Sequence, residues 1–154
     1  MKTGQLQRAL NQAEANCRAH GARLTAKRKH ILQLLLQAET PLSAYELAQH
    51  YQAQFNDTIP AMSVYRMLDF LVAETLAHKL LSTNKYVACA HITCDHDHEL
   101  PQFLICDQCQ KVKEIGIDRG IMTALESSVN AGGYVLTRPQ IELHCLCADC
   151  ARAA

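Results

Sequence analysis

The stretch Met62 to Cys89, MSVYRMLDFLVAETLAHKLLSTNKYVAC, carries the reading that decides the fold. Its first half sets Val64, Met67, Leu68, Leu71 and Val72 at helical spacing, so an apolar stripe runs along a helix over about 62–74. The period then shortens. Ala77 to Leu81 and Lys85 to Cys89 are strand candidates, and Ser82-Thr83-Asn84 between them has the small polar residues of a turn. A helix that runs straight into a hairpin is the back half of a winged helix-turn-helix, where the last helix enters the major groove and the hairpin lies against the backbone. The same pattern also suits a small three-helix domain with no nucleic-acid role.

Upstream, the pattern stays helical. Residues 5–19 and 26–38 place apolar residues at helical spacing, with Ile31, Leu34, Leu35 and Ala38 on one face, Lys27, Arg28 and Lys29 ahead of them, and Thr25 as N-cap. Ser43 and Glu46 form a Ser-x-x-Glu capping box, and Leu42 and Leu47 stand at the two positions of a hydrophobic staple, which starts a helix over about 43–54. The polar connector Gln54 to Thr58 follows.

Downstream, the character changes. Cys89 to Pro101 is polar and rich in His and Asp, unsuited to a core. Gln102 to Cys106 and Val112 to Ile115 read as strands on either side of Cys106-Asp-Gln-Cys109, the form of a zinc knuckle. A helix over about 119–131 is bounded by Asp118 as N-cap and Gly132 at C′, and Tyr134 to Leu143, interrupted at Thr137-Arg-Pro139, closes the sheet. These elements predict an α+β chain. Residues 1–89 form a helical domain, winged helix-turn-helix or plain three-helix, residues 102–154 a small α/β domain, and 77–102 the segment that joins them.

A second pair, Cys147-Ala-Asp-Cys150, is separated from the first by 37 intervening residues. Two such pairs can grip one ion from two sides, and four thiolates satisfy tetrahedral Zn²⁺ with no open position. The competing readings are two unrelated reduced pairs or a thioredoxin-like redox motif. The latter needs a βαβ setting, and one pair would suffice for it. His78, Cys89, His91, Cys94, His96, His98, Glu99, Glu114, His144 and Cys145 are many further ligands for so short a region, and they predict a second metal site. Nitrogen and sulfur donors favour zinc over Mg²⁺ or Ca²⁺, which prefer oxygen.

The 154 residues have zero formal net charge, which hides an asymmetry: residues 1–85 carry ten Lys/Arg against six Asp/Glu, and residues 86–154 five against nine. Only the first half is therefore a plausible partner for phosphate. No apolar N-terminal run and no stretch of about 18 apolar residues is present, which predicts a cytoplasmic protein with reduced thiols rather than a disulfide scaffold. Zinc-enzyme signatures are missing. His96 is followed by Asp97-His98 rather than x-Glu, no Pro precedes Cys106, and there is no His-Glu-x-x-His, Gly-x-Ser-x-Gly, P-loop or dinucleotide fingerprint.

Ser43-Ala-Tyr-Glu-Leu47, Ser63 to Leu71, His78-Lys79, Ser82-Thr-Asn84, Tyr86-Val87, Phe103 to Cys109 and Ile141 to His144 through Cys147-x-x-Cys150 resemble the ferric uptake regulator family, nearest its zinc-uptake-regulator (Zur) branch. The likeness covers about residues 5–150. It implies a bacterial homodimeric repressor with a winged-helix DNA-binding domain and a C-terminal dimerisation domain, in which zinc is corepressor and the loaded dimer binds a palindromic operator ahead of zinc-uptake genes. By position it implies two zinc ions per chain: a structural one on Cys106, Cys109, Cys147 and Cys150, and a regulatory one on His78, Cys89, Glu114 and a further histidine. The Cys89 to Cys106 segment is longer than the family pattern, so that histidine is His98, nearer the expected distance from Cys106, or else His96. His91, Glu99 and His144, with His96, are candidates for a further site. Cys94 and Cys145 are extra thiols to which the resemblance gives no role; Cys145 competes for the structural ion, though the Cys-x-x-Cys pairs bite better.

The same resemblance puts Tyr45, Tyr65 and Arg66 at the DNA interface. An arginine near the start of a reading helix can donate two hydrogen bonds to guanine. Lys27, Arg28 and Lys79 are expected phosphate contacts, which set affinity without reading sequence. The rival within the family is a sensor of iron, manganese, nickel or peroxide, against which Cys89 argues because those branches favour His and carboxylate ligands there. The rivals outside it are a zinc-dependent enzyme and a purely structural zinc protein.

Overall fold

The computed structural model describes residues 1–94 and 100–154. The chain forms two units, Met1–Asp95 and His96–Ala154. The first contains α1 (Thr3–Ala19), α2 (Ala26–Gln37), α3 (Ala44–Phe55), α4 (Ala61–Ala73), β1 (Ala77–Leu80) and β2 (Lys85–Ala88). Each helix lies within two residues of the span its periodicity predicts.

Local chemistry sets these boundaries. Thr25 Oγ1 accepts from the Arg28 amide at the start of α2, and Pro60, whose ring fixes φ, precedes α4. At α3 the capping box is complete: the Ser43 hydroxyl accepts from the Glu46 amide at 3.2 Å, and the Glu46 carboxylate accepts from the Ser43 amide at 2.7 Å. Asn56 ends α3 in the left-handed region at φ 51°, which asparagine tolerates. The apolar stripes then meet in one core that includes Leu10 and Cys17 of α1, Ile31 and Leu35 of α2, Leu47 and Tyr51 of α3, and Val64, Leu68 and Leu71 of α4.

The hairpin is antiparallel, with Ala77 opposite Ala88 and Leu80 opposite Lys85, and Asn84 at φ 54° turns the chain. Leu42 exchanges both backbone hydrogen bonds with Tyr86, at 3.1 and 2.8 Å, and so adds one rung to the hairpin edge. The side chain of Leu42 belongs to the staple, and its backbone also docks the start of α3 onto the wing. Lys85 Nζ completes the link, 3.1 Å from the Glu46 carboxylate.

Ser43→Ala is expected to lower the stability of the first unit by about 1 kcal/mol at neutral pH. The Ser43 backbone amide, with smaller contributions from Lys85 and the Ser43 hydroxyl and against the cost of burial, holds the Glu46 carboxyl below the usual glutamate range. A depressed carboxyl contributes stability above its unfolded pKa, and that contribution is lost as pH falls through the folded value. The gap between wild type and Glu46→Gln should therefore close in acid. The Lys85 pair adds little to it, because both side chains are more than a third exposed. Urea melts of both variants from pH 7 down to pH 3 check this.

The second unit contains β3 (Gln102–Cys106), β4 (Val112–Ile115), α5 (Arg119–Ala131), β5 (Glu142–Cys145) and α6 (Ala148–Ala153). The sheet order is β4-β3-β5, with β4 antiparallel and β5 parallel to β3. Asp118 caps α5 by accepting from the Gly120 amide at 2.7 Å. The closing strand is shorter and later than Tyr134 to Leu143. Tyr134 and Val135 are 76% and 80% exposed, so burial gives those residues no reason to join a sheet, and Pro139 has no N–H for a ladder. Buried Gln102 pins this stretch instead: its amide donates to the Pro139 carbonyl at 2.9 Å and accepts from the Ile141 amide. Among the described residues, no helix is long and apolar enough to cross a membrane.

Candidate metal centre

The parallel register of β3 and β5 sets Cys106 beside Cys145. The turn after β3 carries Cys109, and two residues beyond Cys145 the chain enters α6 with Cys147 as N-cap and Cys150 in its first turn. The sulfurs of Cys106, Cys109, Cys147 and Cys150 all lie within 4.8 Å of one another. A tetrahedral ion with Zn–S bonds of about 2.3 Å requires sulfur separations of about 3.8 Å. Cys109 and Cys147 Sγ are 3.8 Å apart.

The electrostatics of the four thiols are uneven. Backbone N–H groups of Cys109 and Cys147, the latter 3.4 Å from the sulfur, hold the Cys106 thiol down to about 6. The neighbouring Cys147 thiol, followed by burial and the other sulfurs, pushes Cys150 up to about 12. Four thiolates at this separation repel one another, and a soft divalent cation relieves that repulsion while accepting all four as ligands. The donor set thus fits zinc.

The remaining ligand candidates divide between the units. In the first, His78 lies on β1 and Cys89 follows β2, its amide donating to the Leu76 carbonyl at 3.0 Å. Both side chains are buried, and their ligand atoms lie within 4.8 Å of each other. His91 is two residues on, with its amide 3.4 Å from the Cys89 sulfur. In the second unit, Glu114 lies on β4 opposite Phe103. His144 lies on β5 with Nδ1 2.8 Å from Asp107 of the first knuckle, a contact that spacing does not reveal because it depends on the β3–β5 register. Cys145 Sγ faces the carbonyls of Leu143 and Ile105 at 3.5 and 3.7 Å. His96, His98 and Glu99 lie outside the described residues.

The basic unit presents its candidate DNA residues on α2, α3, α4 and β1. Tyr45 on α3 is 66% exposed and its ring meets that of Tyr65 on α4 edge to face, centroids 6.4 Å apart. Arg66, on the first turns of α4, is exposed. Lys27 is 3.4 Å from Asp57, and Lys79 Nζ is 5.9 Å from the Tyr86 ring centroid. Arg28 is folded back over Phe70.

A winged helix-turn-helix unit with an arginine on its fourth helix, joined to a sheet unit built round four convergent thiols, defines a winged-helix protein with a thiolate clamp. The model of the ferric uptake regulator family matches residues 19–144. The chain belongs to that family, one of transcription regulators. It is 36% identical over 144 residues to the zinc uptake regulation protein of Escherichia coli (strain K12), covering 94% of this chain and 82% of that one. It is also similar to the solved structure of a zinc uptake regulator complexed with zinc and DNA, with TM-score 0.81, 32% identity and 99% and 98% of the two chains covered. Against the holo form of XcZur the TM-score is 0.76 at 38% identity, covering 94% and 97%.

Proposed function

We propose that this chain is a zinc-responsive transcriptional repressor: a homodimer that, when loaded with zinc, binds a palindromic operator and represses zinc-uptake genes. It acts by binding and not by catalysis, in the bacterial cytoplasm. The observation that carries the reading is the buried His78–Cys89 pair, a soft-ligand pair on the wing that follows the reading helix and distinct from the four-thiolate centre. The likeness to a zinc uptake regulator complexed with zinc and DNA supports it.

Cys106, Cys109, Cys147 and Cys150 hold a structural ion. His78 and Cys89 of the first unit, with Glu114 of the second and His98 or His96 from the segment between, hold a regulatory one. Zinc in that second site would supply a cross-link between winged helix and sheet unit, over the hinge of residues 77–102. His78 and Cys89 act on the DNA-reading unit because both are anchored in the hairpin, whose edge is joined through Leu42 to the start of α3. Ligation thereby shifts the population toward the one arrangement in which two reading helices match two half-sites.

On α4, Arg66 reads a guanine, an interaction that discriminates by about 1–3 kcal/mol, while Tyr65 meets a thymine methyl or phosphate. Tyr45, Lys27 and Lys79 take phosphate contacts. The second unit supplies the dimer interface, supported by its exposed apolar residues Ile121 and Leu125 of α5 and Leu143 and Leu146 near the sheet edge. The test is to count metal per chain before and after a mild chelator and to measure palindromic-DNA binding in both states. Two zinc ions falling to one, with binding lost in step, is the expected result. One tight ion with metal-independent binding would overturn the reading.

A further inference from the structure

Arg28 carries the inference. By sequence it belongs with Lys27 as a phosphate contact, yet the two side chains behave differently. Lys27 reaches outward to exposed Asp57. Arg28 folds back: its guanidinium carbon sits 3.7 Å above the centroid of the Phe70 ring, and Nη1 donates to the Arg23 carbonyl at 2.8 Å. Phe70 is on α4, four residues and hence about one turn beyond Arg66, and is packed against the core. The Arg28 backbone is itself fixed, since its amide donates to Thr25 at the cap of α2. One side chain therefore joins the loop before α2, the first turn of α2 and the middle of α4.

From this geometry we infer that Arg28 is a positioning residue: stacked on Phe70 and tied to Arg23, it sets the pose of α4 and hence the aim of Arg66. The chemistry selects arginine over lysine. A planar guanidinium can lie flat on a ring and still direct an in-plane N–H at a carbonyl, whereas an ammonium offers neither the face nor the fork. Thr25, Arg28, Ser63, Arg66 and Met67 line one concavity between α2 and α4, so a change in the Arg28 stack is felt on the wall that Arg66 shares. The inference rests on the DNA-binding reading for its consequence, and its geometry can be tested without DNA.

The test compares Arg28→Lys, Arg28→Gln, Phe70→Leu and Phe70→Tyr in the zinc-loaded full chain. The probe is a palindromic duplex selected from random-sequence DNA by the wild-type protein. Arg28→Lys and Phe70→Leu, which keep the charge of the unit, should each weaken specific binding about tenfold while leaving the salt dependence of log K unchanged, and Phe70→Tyr, which keeps a ring, should restore it. A phosphate contact behaves in the opposite way. Arg28→Lys would then bind as wild type, and Arg28→Gln would reduce the salt slope by about one counterion, which overturns the inference. Amide exchange read without DNA separates the two questions. Faster exchange in α4 of Arg28→Lys and Phe70→Leu is expected, and α4 protection unchanged in both overturns the positioning role whatever becomes of operator binding.

Discussion

Cys147→Ser is expected to remove the structural zinc ion and unfold the second unit, leaving the first folded. Cys147 serves that unit in three ways: it is N-cap of α6, its amide donates to Cys106 Sγ at 3.4 Å, and its sulfur stands 3.8 Å from that of Cys109. The unit has little else to hold it. Among its described residues only Gln102, Phe103, Ile105 and Cys106 are buried, all on β3, and α5 has no buried residue at all. An apolar core of that size cannot offset the conformational entropy of the ordered chain. A structural zinc contributes on the order of 10–16 kcal/mol to small thiolate domains, and three thiolates keep only part of that. Elemental analysis should find at least one ion fewer. Amide exchange should show β3 and β5 unprotected, with α1 to α4 unchanged. Protected β3 amides in a zinc-depleted Cys147→Ser protein would mean that the sheet stands without its clamp.

His78→Ala and Cys89→Ser should have the contrary profile: a folded chain that keeps the four-thiolate ion yet has lost zinc control of DNA binding. His78 is on β1 and Cys89 directly follows β2, both in the first unit, and neither is one of the four thiols, so neither substitution removes a ligand of the clamp. Removing one ligand of three or four costs most of the affinity of such a site, and coupling between a metal and a distant ligand is commonly 5–150-fold. We expect operator affinity in zinc to fall by about 100-fold in either variant, to the level of chelated wild type. Fluorescence anisotropy with a labelled duplex, in zinc and in chelator, measures it. Normal zinc dependence in either variant would remove these residues from the regulatory site. The two sets of substitutions together separate the ion that maintains the fold from the one that controls it.

Legibility of the fold followed the range of the interactions involved. Helix starts at Thr25 and Ser43 were readable because cap, box and staple are contacts between residues at most five apart. The hairpin was readable because a short polar turn, Ser82-Thr83-Asn84, joins two strand runs and fixes their innermost pair, Leu80 with Lys85. The last strand was not, since Tyr134 to Leu143 has strand composition but its pairing depends on Gln102, a buried amide 37 residues before Pro139. The role of Leu42 was half readable: its side chain belongs to a local motif, its backbone to a partner on β2.

The thiolate centre divides in the same way. Two Cys-x-x-Cys pairs already name the metal chemistry, because ligand type and bite are properties of four neighbouring residues. That the pairs meet was decided by β5 lying parallel beside β3, which brings Cys145 level with Cys106 and delivers Cys147 to the first knuckle. Arg28 shows the limit most clearly. Its charge and its place in a basic run are written in the chain, but its partner is a ring on another helix, and only packing reveals that the guanidinium faces inward. Periodicity, capping and ligand identity are short-range and so are encoded in adjacent residues. Register and side-chain direction arise from contacts between residues far apart in the chain, and they exist only once the core has closed.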